Sequence, residues 1–197
     1  MPTSSTLPAC SVLLLAGGRG QRMGGQDKGL LQWRGRPLIA HLHGLARPLS
    51  DDLIISCNRN QALYAPWCDS IVEDDSQDFP GPLAGIRAGL KEARHGSLLV
   101  LACDAPNLGS ALLEQMRQMA ACNPGKPLML RQGEHWEPLP CIIPVEHADV
   151  FERAWAAGER SPRKVMLQLG AVALQCPDDD PRLANLNTPE LLQARTR

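Results

Sequence analysis

Short, strongly apolar runs recur along the chain, separated by segments in which apolar residues return every three or four positions. The runs at 12–16, 52–57, 70–73, 97–103, 127–131, 140–143 and 171–175 have the length and character of buried strands. Between them, 37–45, 83–94, 110–121, 145–157 and 162–169 read as helices. Leu83, Ile86 and Leu90 share one helical face, and Gly96 is placed as a C-cap beyond it. Pro48 sets the point by which the 37–45 helix must stop. Thr188, Pro189 and Glu190 supply an N-cap, an N1 proline and a first-turn acid for a closing helix over 188–194. Strands alternating with helices predict an α/β fold, a mostly parallel sheet covered on both faces. In such sheets a ligand lies beyond the carboxyl ends of the strands.

A length of 197 residues and an apolar fraction of 44% suit one domain with a substantial core. No repeat, low-complexity tract or linker interrupts the pattern, so 10–197 reads as a single domain and 1–9 as a flexible N-terminal extension. A formal net charge of -1 provides no global field for nucleic acid or a membrane surface. The cations are unevenly spread, however: Arg19, Arg22, Lys28, Arg34 and Arg36 fall in one stretch, the mark of a local anion site. Seven dispersed cysteines without a CxxC pair point to a reducing compartment rather than a disulfide framework or zinc site. Cys57, Cys103 and Cys141 lie in apolar runs and are expected in the core. The N-terminus lacks the pattern of a signal peptide, and no apolar run nears the roughly 20 residues that span a bilayer. A cytoplasmic protein is expected.

The chemistry concentrates after the first strand. Six glycines (Gly17, Gly18, Gly20, Gly24, Gly25 and Gly29) accompany Arg19, Arg22 and Lys28. Glycines let backbone amides turn inward, and the cations add charge, a combination suited to a polyphosphate. The loop is not a P-loop, because Lys28 precedes Gly29 rather than Ser or Thr. Nor is it a dinucleotide fingerprint, because Met23 takes the last glycine position. Asp104 follows the run Leu98–Cys103 on the same predicted sheet edge, where a carboxylate can hold Mg²⁺ beside a triphosphate. It is also placed to cap a helix near Leu108 or to begin a turn.

Further candidates are less specific. In Phe79-Pro80-Gly81-Pro82-Leu83-Ala84-Gly85, Gly81 permits close approach and the following helix offers its positive end to an anion; an ordinary proline-rich turn has the same sequence. Segment 133–139 either lines a second-substrate pocket or forms an exposed hairpin. Asn185 and Asn187 either aim amides at the sheet edge or shape the entry to the last helix. His41 and His43, two apart on a helix, face different ways, which makes them poor metal partners. Asp178, Asp179 and Asp180 read as a solvated loop.

The run LAGGRGQRMGGQDKG resembles the nucleotidyltransferase signature of an Ala-Gly-Gly strand end, then Arg-Met-Gly, then Lys. Agreement at Asp27-Lys28-Gly29, Pro80–Gly85, Cys103-Asp104 and Asn185–Glu190 narrows the resemblance to the molybdenum cofactor guanylyltransferases, from about Val12 to Leu192. That resemblance implies a single Rossmann-like three-layer domain of the nucleotide-diphospho-sugar transferase type. It implies Mg²⁺ dependence and transfer of GMP from GTP to the terminal phosphate of molybdopterin, with pyrophosphate released. The nucleotide contacts it carries over are Leu15, Ala16, Gly17, Lys28, Asp74 and Asp104, with Asp104 also the metal ligand. Gly18, Arg22, Gly81, Asn185 and Asn187 join the expected site from the residue reading. Where this family often has asparagine after the second main strand, the chain has Ser56, whose hydroxyl can still hydrogen-bond. Other cofactor-biosynthesis proteins and recipient apoenzymes are expected partners. The alternatives are a relative using CTP or a sugar-phosphate acceptor, and a non-catalytic nucleotide or cofactor carrier.

Overall fold

The computed structural model describes residues 7–17, 27–73, 81–105 and 107–184. In chain order, β1 (Ser11–Leu15) leads to a small hairpin, β2 (Gln32–Trp33) and β3 (Arg36–Pro37), and then to α1 (Leu38–Ala46). Next come β4 (Leu53–Ser56), α2 (Gln61–Tyr64), β5 (Ser70–Val72), α3 (Pro82–Glu92), β6 (Ser97–Ala102) and α4 (Ser110–Cys122). The last described elements are β7 (Leu128–Gln132), β8 (His135–Pro144), α5 (Ala148–Ala156), α6 (Pro162–Gln168) and β9 (Val172–Cys176). Among the described residues, no helix is long and apolar enough to cross a membrane.

Seven strands form one sheet in the order β5-β4-β1-β6-β8-β7-β9, and only β8 runs against the rest. Alternation along each strand divides the core into two faces. Val12 and Leu14 of β1 join Ile39 and Leu42 of α1 and Leu112, Leu113 and Met116 of α4 on one face. Leu13 and Leu15 join Leu83, Ile86 and Leu90 of α3, Phe151 of α5, and Val165 and Met166 of α6 on the other. The three layers expected from the α/β pattern are therefore present, and Cys57, Cys103 and Cys141 are buried as expected.

The differences from the sequence reading have identifiable causes. Strand β8 is much longer than 140–143, because the ladder with β7 shifts register between Met129 and Leu130. That irregularity accommodates Pro138 and Pro140, which a regular interior ladder would reject. Segment 133–139 is thus a hairpin turn and strand. Arg34 and Gly35 both take positive φ (50° and 75°), the requirement of a tight two-residue hairpin between β2 and β3. Helix α3 ends at Glu92 rather than Arg94, because Arg94 turns away to bind Asp52. The closing helix over 188–194 lies outside the described residues.

Helix α3 rests unusually close to the sheet. A Cβ at Gly85 would lie 2.6 Å from Ser56 Oγ and 2.8 Å from Leu15 Cδ2, and one at Gly89 would lie 2.6 Å from Leu13 Cδ2. Only hydrogen fits at either point. Arg87, itself buried, fixes the outer side by donating to Glu152 of α5 at 2.9 and 2.7 Å while lying over the Trp155 ring.

At the amino ends of the strands, buried Asp52 accepts from Ser11 Oγ at 2.5 Å and from Arg94 N and Nε at 2.9 Å each. Burial alone would push this carboxyl up, but the Ser11 and Arg94 hydrogen bonds outweigh it and hold the group below the ordinary carboxylate range. A depressed folded value means full stabilisation above the unfolded value of about 4, lost as the pH falls toward the folded one. Asp52→Asn is therefore expected to lower stability by about 2–3 kcal/mol at neutral pH. Urea unfolding from pH 7 down to pH 3 should show a shallower acid loss for the variant; parallel curves would show that Asp52 is not a source of the acid sensitivity.

Candidate active site

The chain leaves β1 toward β4 on one side, and its return through α3 enters β6 on the other side of β1. This reversal opens a crevice at the carboxyl ends of β1 and β6. Two side chains from opposite banks meet there. Lys28, at the start of a 3-10 turn over Lys28–Leu30, donates from Nζ to Asp104 Oδ2 at 2.8 Å. Each side chain is 22% exposed, so the pair is partly desolvated yet open to a ligand. Asp104 occupies a turn directly after β6, while α4 begins only at Ser110 behind a Gly109 cap, so Asp104 does not cap that helix.

The strand ends beneath the pair are held in the ladder. Ala16 N donates to Ser56 O at 3.0 Å, and Cys103 N donates to Leu15 O at 3.2 Å. Leu15 and Ala16 are buried and Gly17 is exposed at the mouth. Ser56 is 3% exposed, and its hydroxyl faces the backbone of Gly85 below the sheet rather than the open edge. Gly81 caps α3 with φ 96°, a backbone state that favours glycine, and Pro82 follows at the first helical position. No acidic residue occupies the first turn of α3, leaving its positive end uncompensated by its own side chains. Gly18, Arg22, Asp74, Asn185 and Asn187 lie outside the described residues.

Several groups that composition might promote are otherwise engaged. Arg34 stacks over the Trp33 ring at 4.4 Å, and His41 Nε2 donates to Trp33 O at 2.8 Å while His43 packs on Trp67. The two histidines do not converge, as their spacing indicated. Burial, and then the charge of neighbouring Asp104, push the Cys103 thiol up to about 12, which keeps it protonated and non-nucleophilic at neutral pH. The expectation of a solvated 178–180 loop needs correction at one position. Asp180 is 5% exposed and accepts from Arg182 N and its guanidinium, closing a 3-10 turn against Gln132, whose Oε1 accepts from Asp180 N.

Sequence reasoning gave Asp27 no role of its own and missed Asn60 and Tyr64. The Tyr64 hydroxyl donates to Asp27 Oδ1, and Asn60 Nδ2 donates to Asp27 Oδ2 at 3.0 Å. The sole tyrosine of the chain stood in a short segment with no periodicity, so no local signal marked it. A separate cleft of about 620 Å³, lined by Cys10, Arg47, Ser50, Asp51 and Asp69, opens at the amino ends of the strands. Arg47 Nη1, on its wall, donates to both carboxylate oxygens of Asp69.

Asp104 offers one hard oxygen donor. Among the described residues, no group of three or more His, Cys, Asp or Glu side chains could hold a metal, so a divalent ion here would complete its shell with phosphate and water. Magnesium is commonly held in that way, by one or two carboxylates and substrate phosphates. The donor set fits such an ion.

The topology and the charged crevice define a ligand-binding α/β protein with its site at the switch point. Comparison with known proteins narrows it. The profile of the MobA-like NTP transferase domain matches residues 12–172. The chain is 66% identical over 194 residues to the molybdenum cofactor guanylyltransferase of Pseudomonas fluorescens (strain Pf0-1), covering 98% of this chain and 97% of that protein. It is 65% identical over 192 residues to the molybdenum cofactor guanylyltransferase of Pseudomonas aeruginosa, covering 98% and 96%. The crystal structure of molybdopterin-guanine dinucleotide biosynthesis protein A from Archaeoglobus fulgidus superposes with a TM-score of 0.75 at 26% identity, covering 93% of this chain and 95% of that one. The chain belongs to the MobA-like NTP transferase family.

Exposure and protonation together predict thiol reactivity. Brief alkylation of the native protein at pH 8, mapped by mass spectrometry, should label exposed Cys122 first and Cys103 only after unfolding. Early labelling of Cys103 would contradict the packing described beneath Asp104.

Proposed function

We infer that this protein is a molybdenum cofactor guanylyltransferase, which transfers GMP from GTP to the terminal phosphate of molybdopterin and releases pyrophosphate. The observation that carries the reading is the Lys28–Asp104 pair at the switch point, in a chain 66% identical to a guanylyltransferase over nearly its whole length. An oxygen of the acceptor phosphate attacks the α-phosphorus of GTP in line. The bond from that phosphorus to the bridging oxygen breaks, and pyrophosphate leaves with the electron pair. Two anions must be brought together, so positioning and charge neutralisation are the protein's main tasks.

Lys28 is assigned to the triphosphate, where its ammonium offsets charge gathering on the leaving pyrophosphate. Arg22 and the amides after Gly17, including Gly18, are assigned to the same phosphates. The N-terminus of α3 behind Gly81 presents a further positive end to an anion. Asp104 is assigned to hold the divalent ion, which we take to be Mg²⁺. When bound, that ion supplies Lewis-acid polarisation of the phosphate oxygens. Asp74, Asn185 and Asn187 complete the proposed substrate contacts. The acceptor phosphate is already ionised at neutral pH, so no side chain is needed as a general base. The protonated thiol of Cys103 is consistent with direct transfer rather than a covalent enzyme intermediate.

Ser56 is the weakest of the expected contacts, since its buried hydroxyl lies against Gly85. We assign base selection elsewhere on the edge. A single catalytic domain over 10–197, a cytoplasmic location and hand-over of the product to other cofactor-biosynthesis proteins or recipient apoenzymes complete the reading.

Pyrophosphate release measured with GTP, CTP, ATP and UTP in the presence of molybdopterin should show preference for GTP; preference for CTP would overturn the guanylyl assignment. Lys28→Ala and Asp104→Ala should each lower turnover by about a hundredfold or more, by analogy with loss of one transition-state contact. Their circular dichroism should match that of the unsubstituted protein. A variant with undiminished turnover would remove that residue from the mechanism.

A further inference from the structure

We propose that Tyr64 is a positioning residue for the nucleotide site, holding Lys28 in reach of Asp104 by way of Asp27. The proposal rests on the reading of Lys28 as the phosphate-binding cation. Tyr64 ends the four-residue helix α2 and is completely buried. Its hydroxyl donates to Asp27 Oδ1, on the residue immediately before Lys28. Its ring lies against the residue immediately after, because a Cβ at Gly29 would fall 2.5 Å from Tyr64 Oη and 3.1 Å from Cε1. One side chain therefore grips both neighbours of Lys28. Asn60 Nδ2 secures the second oxygen of Asp27 at 3.0 Å, so the carboxylate has a partner on each side.

This arrangement answers a mechanical need. A lysine side chain is long and flexible, and its ammonium is directed only as well as its backbone is fixed. The Lys28–Leu30 turn is three residues long and has no side-chain cap at Asp27, whose carboxylate is committed outward to Tyr64 and Asn60. Burial, with the Asp27 carboxylate beside it, pushes the Tyr64 phenol well up from its ordinary value, so it stays a donor at any working pH. Helix α2 is too short to persist on its own and is held by what Tyr64 touches. The connection between β4 and β5, which carries α2, is thereby coupled to Asp27 and Gly29 on either side of Lys28.

A double-mutant cycle on the full chain tests the proposal, read by pyrophosphate release from GTP with molybdopterin and by thermal unfolding. Tyr64→Phe keeps the ring and removes the hydroxyl. It should lower kcat/KM for GTP by about tenfold, the scale of one hydrogen bond to a charged group. In a Lys28→Ala background the same change should cost little more, because its effect runs through Lys28. Asn60→Gly, exposed and at φ 55°, should give a smaller loss in the same sense without backbone strain. It carries the same test should the phenol's removal unfold the protein. Unchanged kcat/KM in folded Tyr64→Phe, or an equal loss with and without Lys28, would overturn the proposal while leaving the Lys28 reading intact. Undiminished activity in Lys28→Ala alone would instead overturn that reading and this proposal with it.

Discussion

Two opposite charges, 76 positions apart in sequence, meet at 2.8 Å where the sheet changes winding direction. Lys28 and Asp104 owe that meeting to the order β4-β1-β6, which sets the carboxyl ends of β1 and β6 side by side and sends their loops apart. A lone ammonium or carboxylate at this depth would bear an unfavourable desolvation. Paired, each is tolerated at that depth. In the proposed reading Lys28 meets the triphosphate and Asp104 the divalent ion, so the same two groups serve stability and chemistry.

The remainder of the structure serves to keep that crevice where it is. Gly85 and Gly89 let α3 descend onto Leu13, Leu15 and Ser56, which brings the Gly81 end of the helix to the sheet edge. Arg87, clamped between Glu152 and Trp155, locks α3 to α5 from the outside. The other end of the sheet is tied by buried Ser11 and Asp52, with Arg94 reaching Asp52 from the surface. The proposed chemistry lies at the carboxyl edge, at Lys28 and Asp104. At the amino edge the polar groups of Ser11, Asp52 and Arg94 are spent on one another.

Family membership and local chemistry agree without being the same argument. The similarity to guanylyltransferases spans nearly the whole chain. The geometry adds which groups are presented and which are withheld. Ser56 is an instance: the family resemblance marks it as a nucleotide contact, whereas strand alternation and the close seat of α3 turn its hydroxyl beneath the sheet. Asp180 is another, an acid in an acidic run that is buried because Arg182 folds back on it.

The layered α/β order, six of the sheet strands and the five longer helices were legible from the chain itself, because buried strands and amphipathic helices imprint their periods on neighbouring residues. Lys28 and Asp104 were legible as well, since glycine-rich loops and acids at strand ends carry their chemistry in local sequence. The register shift that lengthens β8, the early end of α3 at Glu92 and the grip of Tyr64 on Asp27 were not. Each depends on a partner many residues away, and packing density and hydrogen-bond satisfaction act only once the chain has closed on itself. Sequence marked Lys28 and Asp104 as candidates; tertiary contact decided that they meet, because only the closed sheet brings the ends of β1 and β6 together.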